Sequence, residues 1–142
     1  MKTVLFVCTG NTCRSPMAEA VFNDKAAKKQ KDVRALSAGL CAGSGAPLSD
    51  GAKAALSEYG LSAFTHTATP VTRELIEQCD VLCGMTARHA SALREMFPEA
   101  SEKIYAFPTD IPDPFGAPLA VYRETLREIE KGVDLLLRDG VL

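Results

Sequence analysis

A cysteine and an arginine separated by five residues, Cys8-Thr9-Gly10-Asn11-Thr12-Cys13-Arg14, put a nucleophile and an anion clamp in one short stretch. The chemistry open to such a pair is covalent attack on a tetrahedral anion. A thiolate is the attacking form of cysteine, and a guanidinium fork matches two oxygens of a phosphate-like group at once. Gly10 and Asn11 give the backbone the freedom to turn successive N–H groups inward as an anion-binding nest. Those donors also stabilise a thiolate at Cys8, and Ser15 stands where its hydroxyl can reach the sulfur. Packing is the ordinary role of a lone cysteine, and C-x5-R alone is a weak signal. Gly10, Asn11 and the following Ser15-Pro16 make it a strong one. A nucleotide-binding loop is excluded, because no Gly-Lys-Ser/Thr follows.

Hydrolysis also needs a proton donor for the departing group. Asp113 is the leading candidate, in Asp110-Ile111-Pro112-Asp113-Pro114-Phe115-Gly116, where prolines on both sides restrict the backbone around the carboxylate. A turn-forming Asp-Pro is the competing reading. Asp110 is the competing carboxylate, with no comparable rigidity around it.

These residues need a scaffold, and the hydrophobic pattern supplies one. Residues 3–7 are continuously apolar after Thr3, as a strand buried on both faces of a parallel sheet would be. Ser15 and Pro16 read as N-cap and first residue of a helix running to about Lys29. Strands follow at 33–38, 80–84 and 103–107. Further helices are expected from Ser49 or Asp50 to Gly60, from Thr72, over 86–97, and from about Leu119 to Arg138. The alternation predicts an α/β fold: a doubly wound, three-layer αβα arrangement around a four-stranded parallel sheet, one domain over residues 1–142. Ligands of such sheets bind beyond the carboxyl ends of the strands, where the Cys8 loop and the Asp113 loop would both lie.

Composition narrows the partners. With 46% hydrophobic and 24% charged residues and a formal charge of -2, the chain lacks the basic surplus of a nucleic-acid or membrane-surface protein. Lys25, Lys28, Lys29 and Lys31 read as a solvated face. No apolar run has the length of a membrane span or the form of a signal peptide. Five irregularly spaced cysteines point to reduced thiols and a cytoplasmic location.

From Val7 through Ala20 and again at Asp113-Pro114-Phe115, the chain resembles the low-molecular-weight protein phosphatase family, also called low-molecular-weight tyrosine phosphatases. Ser37-Ala38-Gly39 and His66 match as well, His66 in the place of a family histidine that bonds the loop asparagine, here Asn11. The resemblance implies hydrolysis of phosphorylated proteins in two steps, with inorganic phosphate as product and neither cofactor nor metal. Cys8 attacks phosphorus and Asp113 protonates the leaving atom; Asp113 then activates water against the phosphocysteine. Arg14 and the loop from Thr9 to Cys13, with Ser15, hold the phosphoryl group, Phe115 borders the substrate, and Ser37 and His66 support the loop.

Thr12 with Asp113-Pro114-Phe115-Gly116 resembles the bacterial protein-arginine phosphatase branch. Tyrosine-specific members usually carry a bulky aliphatic residue at that loop position and Asp-Pro-Tyr at the acid. They also often have Met-Asp where this chain has Met85-Thr86. Phosphoarginine is therefore the favoured substrate and phosphotyrosine the alternative, with Thr12 as mere loop filler the plain reading. Cys13 reads either as a partner for a protective disulfide with Cys8 or as packing.

Two other classes compete. A thioredoxin-coupled arsenate reductase would use the same loop but needs mobile resolving cysteines. Cys79 and Cys83 are the candidates, and their setting reads as a buried strand. A phosphoprotein-binding module would need neither nucleophile nor acid. His89 reads as a surface residue at a helix start.

Overall fold

The strand that ends at Cys8 explains the layers. The structure, a computed structural model, describes residues 1–138. In β1 (Lys2–Cys8) every residue from Thr3 onward is buried. Side chains alternate across a strand. Val4, Phe6 and Cys8 join a core with the helices α1 (Arg14–Lys28), α2 (Asp50–Tyr59) and α5 (Leu119–Arg138). Leu5 and Val7 join a second core with α3 (Arg73–Gln78), α4 (Ala87–Met96) and a 3-10 turn at Pro98–Lys103. A continuous apolar run is what a strand covered on both faces requires.

The sheet is parallel, in the order β2-β1-β3-β4, with β2 at Val33–Gly39, β3 at Val81–Gly84 and β4 at Ile104–Ala106. β1 is thus central, and Cys8 pairs with Gly39 at its carboxyl end. The chain leaves β1 to form β2 on one side, and later returns to build β3 on the other. The loop after Cys8 lies at this switch point, where the flanking strands diverge and leave a crevice. The predicted three-layer αβα fold is the observed one.

Three helices begin as the sequence indicates: Ser49, Thr72 and Thr86 each accept a backbone N–H of their own first turn. Gly60 ends α2 with φ 100°, in the left-handed region. Two expectations fail. Ser15 is not an N-cap: α1 starts two residues earlier, with Cys13 at the cap and Arg14 as its first residue, because the Ser15 hydroxyl is engaged by the loop. Lys25 does not lie on a solvated face. It bridges α1 to α5 through Glu130 at 3.2 Å and Asp134 at 2.8 Å.

Candidate active site

The chain turns sharply after Cys8, and Asn11 carries that turn with φ 57°. Asparagine tolerates this region because its short amide can satisfy local partners. Gly10 has no positive φ, so the loop's left-handed residue is the asparagine and not the glycine. Asn11 is fully buried and uses every polar atom. Its Nδ2 donates to Ser15 Oγ at 2.8 Å and to Ser37 Oγ at 3.0 Å. Its Oδ1 accepts from the Thr69 N–H at 2.8 Å, its carbonyl meets His66 Nε2 at 2.8 Å, and its N–H donates to Cys8 Sγ at 3.3 Å.

Cys8 Sγ therefore receives a main-chain donor on one side and a hydroxyl on the other. Ser15 Oγ lies 2.9 Å away. Because Ser15 accepts from Asn11, its own proton is available to the sulfur; the alternative acceptor, Ala38 O, is farther, at 3.5 Å. Arg14 is buried, with Nη1 donating to Ile111 O at 3.1 Å and Nη2 to Thr9 Oγ1 at 3.5 Å. The Asp113 carboxylate stands 3.9 Å from Nη2 and is half exposed. Its Oδ1 accepts the Phe115 N–H at 3.1 Å, which fixes its rotamer. Together these groups enclose a cleft of about 200 Å³ lined by residues 8–14, Asp113 and Phe115. Thr12 lines it half-buried, and its carbonyl anchors to Ser49 N–H at 3.0 Å. Phe115 is 69% exposed, an aromatic ring free at the cleft's rim.

Behind the loop, Ser37 passes the chain of hydrogen bonds on to Glu19 Oε1 at 2.6 Å. Burial raises the Glu19 pKa and the Ser37 bond opposes it; burial lowers that of His66 and the bond to Asn11 opposes it. Both supporting residues expected from the sequence, Ser37 and His66, thus touch Asn11. Cys13 faces away from them. Its thiol donates to Ser49 Oγ at 3.1 Å and lies 3.5 Å from Tyr122 Oη. Burial, then the Cys13 contact, pushes the Tyr122 phenol above its ordinary range.

Asp110 faces elsewhere: its Oδ1 accepts the Ala87 N–H at the start of α4, 2.9 Å away. Cys79 and Cys83 are both buried, and burial raises both thiols, Cys83 to about 12. Neither is the exposed, thiolate-prone cysteine that disulfide exchange requires. The expectation for His89 is wrong. It is buried, with Nε2 3.0 Å from Thr9 Oγ1 and Nδ1 2.9 Å from Thr86 Oγ1. The sequence gives its place along the chain but not the direction it faces. With Thr86 as N-cap, His89 occupies the first turn of α4, directly after the strand beside β1. Ser49, Thr69 and Tyr122 join the site without being expected there; each reaches the loop from a distant segment.

Comparison with known proteins agrees with this geometry. A family model described as low molecular weight phosphotyrosine protein phosphatase matches residues 3–139. The chain is 39% identical over 140 residues to the protein-arginine-phosphatase of Geobacillus stearothermophilus, covering 94% of this chain and 92% of that protein. It is similar in structure, at TM-score 0.93 and 33% identity, to a cysteine-to-serine variant of the YwlE arginine phosphatase with a phosphorylated active-site serine. That match covers 96% of this chain and 94% of the other. It is similar also to a low molecular weight protein tyrosine phosphatase from T. tengcongensis, at TM-score 0.91 and 39% identity, covering 98% and 99%. The loop at the switch point, the carboxylate facing it and these relatives lead to one assignment: the chain belongs to the low-molecular-weight phosphotyrosine protein phosphatase family.

Proposed function

We propose that this chain hydrolyses phosphorylated protein side chains through a phosphocysteine on Cys8, with phosphoarginine as its preferred substrate. The observation that carries the reading is the pairing at the cleft. Cys8 Sγ lies under the Asn11 N–H and the Ser15 hydroxyl, while Arg14 and Asp113 face each other 3.9 Å apart. Cys8 attacks phosphorus, and the bond from phosphorus to the arginine nitrogen breaks. Asp113 gives its proton to that nitrogen. Water then attacks the phosphocysteine, Asp113 takes its proton, and inorganic phosphate leaves as Cys8 returns to a thiolate held by its two donors. Arg14 and the amides of residues 9–13 bear the equatorial oxygens, where preorganised donors have their largest effect. Ser37 and His66 act through Asn11, keeping the turn in place.

The substrate preference rests on Thr12 and Phe115, together with the phosphoarginine chemistry named for the Geobacillus relative. Thr12 presents a hydroxyl where an aliphatic residue would suit an aromatic ring. The T. tengcongensis relative supports the alternative, phosphotyrosine. Five free thiols among the described residues support a reducing, cytoplasmic setting. The deciding measurement is turnover of matched phosphoarginine and phosphotyrosine peptides by wild type, Cys8→Ser, Asp113→Asn and Thr12→Ile. Cys8→Ser abolishes turnover. Asp113→Asn lowers kcat by about 10²–10⁴. Thr12→Ile moves the preference towards phosphotyrosine by about tenfold to a hundredfold. A wild type that strongly prefers phosphotyrosine ends the phosphoarginine reading.

A further inference from the structure

The hydrolytic scheme gives no role to one hydrogen-bonded chain of side chains, which runs from the half-buried Thr86 through the buried His89 to the exposed Thr9 and ends on the buried Arg14. The chain is built with care for space. Gly84, at the end of β3, lies so near α4 that a Cβ there would come within 2.9 Å of His89 Cβ and 2.6 Å of Ala90 N. Its absence lets the first turn of α4 seat the imidazole under the loop. Thr86 Oγ1 accepts the His89 N–H at 3.2 Å as the N-cap and also meets Nδ1 at 2.9 Å. Nε2 then meets Thr9 Oγ1 at 3.0 Å, and Thr9 Oγ1 is also the acceptor for Arg14 Nη2 at 3.5 Å.

We propose that His89, as a neutral imidazole, is a positioning residue for Arg14: it pins the Thr9 hydroxyl, which with Ile111 O holds the guanidinium in its phosphate-binding orientation. The inference rests on the phosphatase reading above and assigns a role that reading does not contain. Proton bookkeeping supports it. Thr86 Oγ1 accepts one proton and donates its own to Nδ1, which leaves Nε2–H pointing at Thr9. Thr9 then accepts from His89 and from Arg14, filling both acceptor sites of its hydroxyl. Its own proton remains for the cleft, which Thr9 lines. Arg14 has two corners fixed, one by Ile111 O at 3.1 Å and one by Thr9. A charged imidazole would defeat the arrangement, since it would place a second cation beside Arg14. Burial and the Arg14 charge hold His89 neutral down to about pH 4, against the pull of Asp113 and Asp110.

The test measures affinity for inorganic phosphate by titration calorimetry, which needs no turnover, beside kcat and KM on a phosphorylated peptide and Tm. His89→Leu and Thr9→Val are each expected to weaken phosphate binding and kcat/KM by about tenfold, the effect of one hydrogen bond that aligns a charged group. Adding His89→Leu to Thr9→Val costs nothing further, because both break the same chain. His89→Gln, which keeps an N–H donor at the end of its side chain, recovers most of the loss. A role in packing alone predicts the reverse: a lower Tm with phosphate affinity unchanged, and no rescue by glutamine. Wild-type phosphate affinity in Thr9→Val, or fully additive losses in the double variant, overturns the proposal, and Thr9→Val decides it even where His89→Leu fails to fold. Cys8→Ser runs alongside. If it retains turnover, the phosphatase reading is what has failed and this inference goes with it; if turnover is lost, the result bears on His89 alone.

Discussion

Replacing Asn11 by alanine removes the part on which the Cys8 loop turns, and the structure allows the cost to be assembled. Alanine at φ 57° keeps a Cβ in the left-handed region but loses the amide that compensates it, which costs about 1 kcal/mol. The Thr69 N–H points at the fully buried Asn11 side chain and loses its 2.8 Å acceptor there, at about 1–3 kcal/mol. The two Nδ2 bonds, to Ser15 and Ser37, are each worth about 1 kcal/mol net. The hydroxyls can turn to other partners, which offsets part of that. A total near 4 kcal/mol is expected, a large fraction of the stability of a domain this size. Asn11→Gly is the control, since it removes the same amide without the steric strain and should be about 1 kcal/mol less damaging. Urea unfolding gives the stabilities, and kcat/KM at a temperature where the variant is fully folded gives the activity. Activity should fall at least tenfold, because the 3.3 Å N–H contact to Cys8 and the orientation of Ser15 both depend on this turn. A stability within about 1 kcal/mol of wild type would refute the view that Asn11 organises the loop.

Ser15→Ala removes a hydroxyl donor 2.9 Å from the nucleophile and should lower kcat by about tenfold to a hundredfold while Tm moves by only a few degrees; an unchanged kcat would remove Ser15 from the chemistry. For pH, His89 is held at about 4 against an ordinary 6.5, so below 6.5 the unfolded chain takes a proton that the folded chain refuses. This contribution to stability is complete above pH 6.5 and is lost as pH falls towards 4, at most about 3 kcal/mol. His66, also lowered, acts in the same sense, while Glu19, raised, acts in the opposite one. Urea midpoints between pH 7 and pH 4.5 should therefore fall less steeply in His89→Gln than in wild type, and parallel curves would contradict the assignment. Peroxide should oxidise Cys8 to a sulfenic acid that condenses with the Cys13 thiol, releasing water and forming a disulfide. Thiol should then restore activity in wild type and not in Cys13→Ser, and equal recovery in both would leave Cys13 a packing residue.

How far the sequence can be read follows from which contacts are local. The strand-loop-helix order, the helix starts near Ser49, Thr72 and Thr86, and the glycine stop at Gly60 are decided within a few residues, and all are legible. So is the pairing of Cys8, Arg14 and Ser15, seven positions apart at most. The start of α1 is not, because Ser15 has two possible uses, capping a helix and bonding a thiol, and pattern alone cannot rank them. Once the loop closes, the sulfur and Asn11 claim the hydroxyl. His89 is hidden for a similar reason. Its neighbours Ala87 and Arg88 are exposed, and only the close approach of Gly84 shows that the next residue turns inward. Lys25 belongs with these: its partners Glu130 and Asp134 lie more than 100 positions away, where no local charge pattern reaches.

The loop is held from two sides, and the two supports act on different groups. On the Asn11 side, Ser37, His66 and Thr69 fix the backbone that points an N–H at Cys8, and the chain ends on a half-buried carboxylate, Glu19. On the Thr9 side, His89 and Thr86 fix a hydroxyl that meets Arg14. A carboxylate is tolerable at the end of the first chain, because two hydroxyls and an amide separate it from the sulfur. A cation would be intolerable in the second, because only one hydroxyl separates the imidazole from the guanidinium. This difference explains why the histidine beside Arg14 must stay neutral in a site that gathers positive charge. It also separates the expected failures. Damage on the Asn11 side should show first in kcat, through the nucleophile, and damage on the Thr9 side first in phosphate affinity, through Arg14. Variants in Ser37 and Thr9 compared by this split would show whether the loop is one rigid unit or two supports that can fail independently.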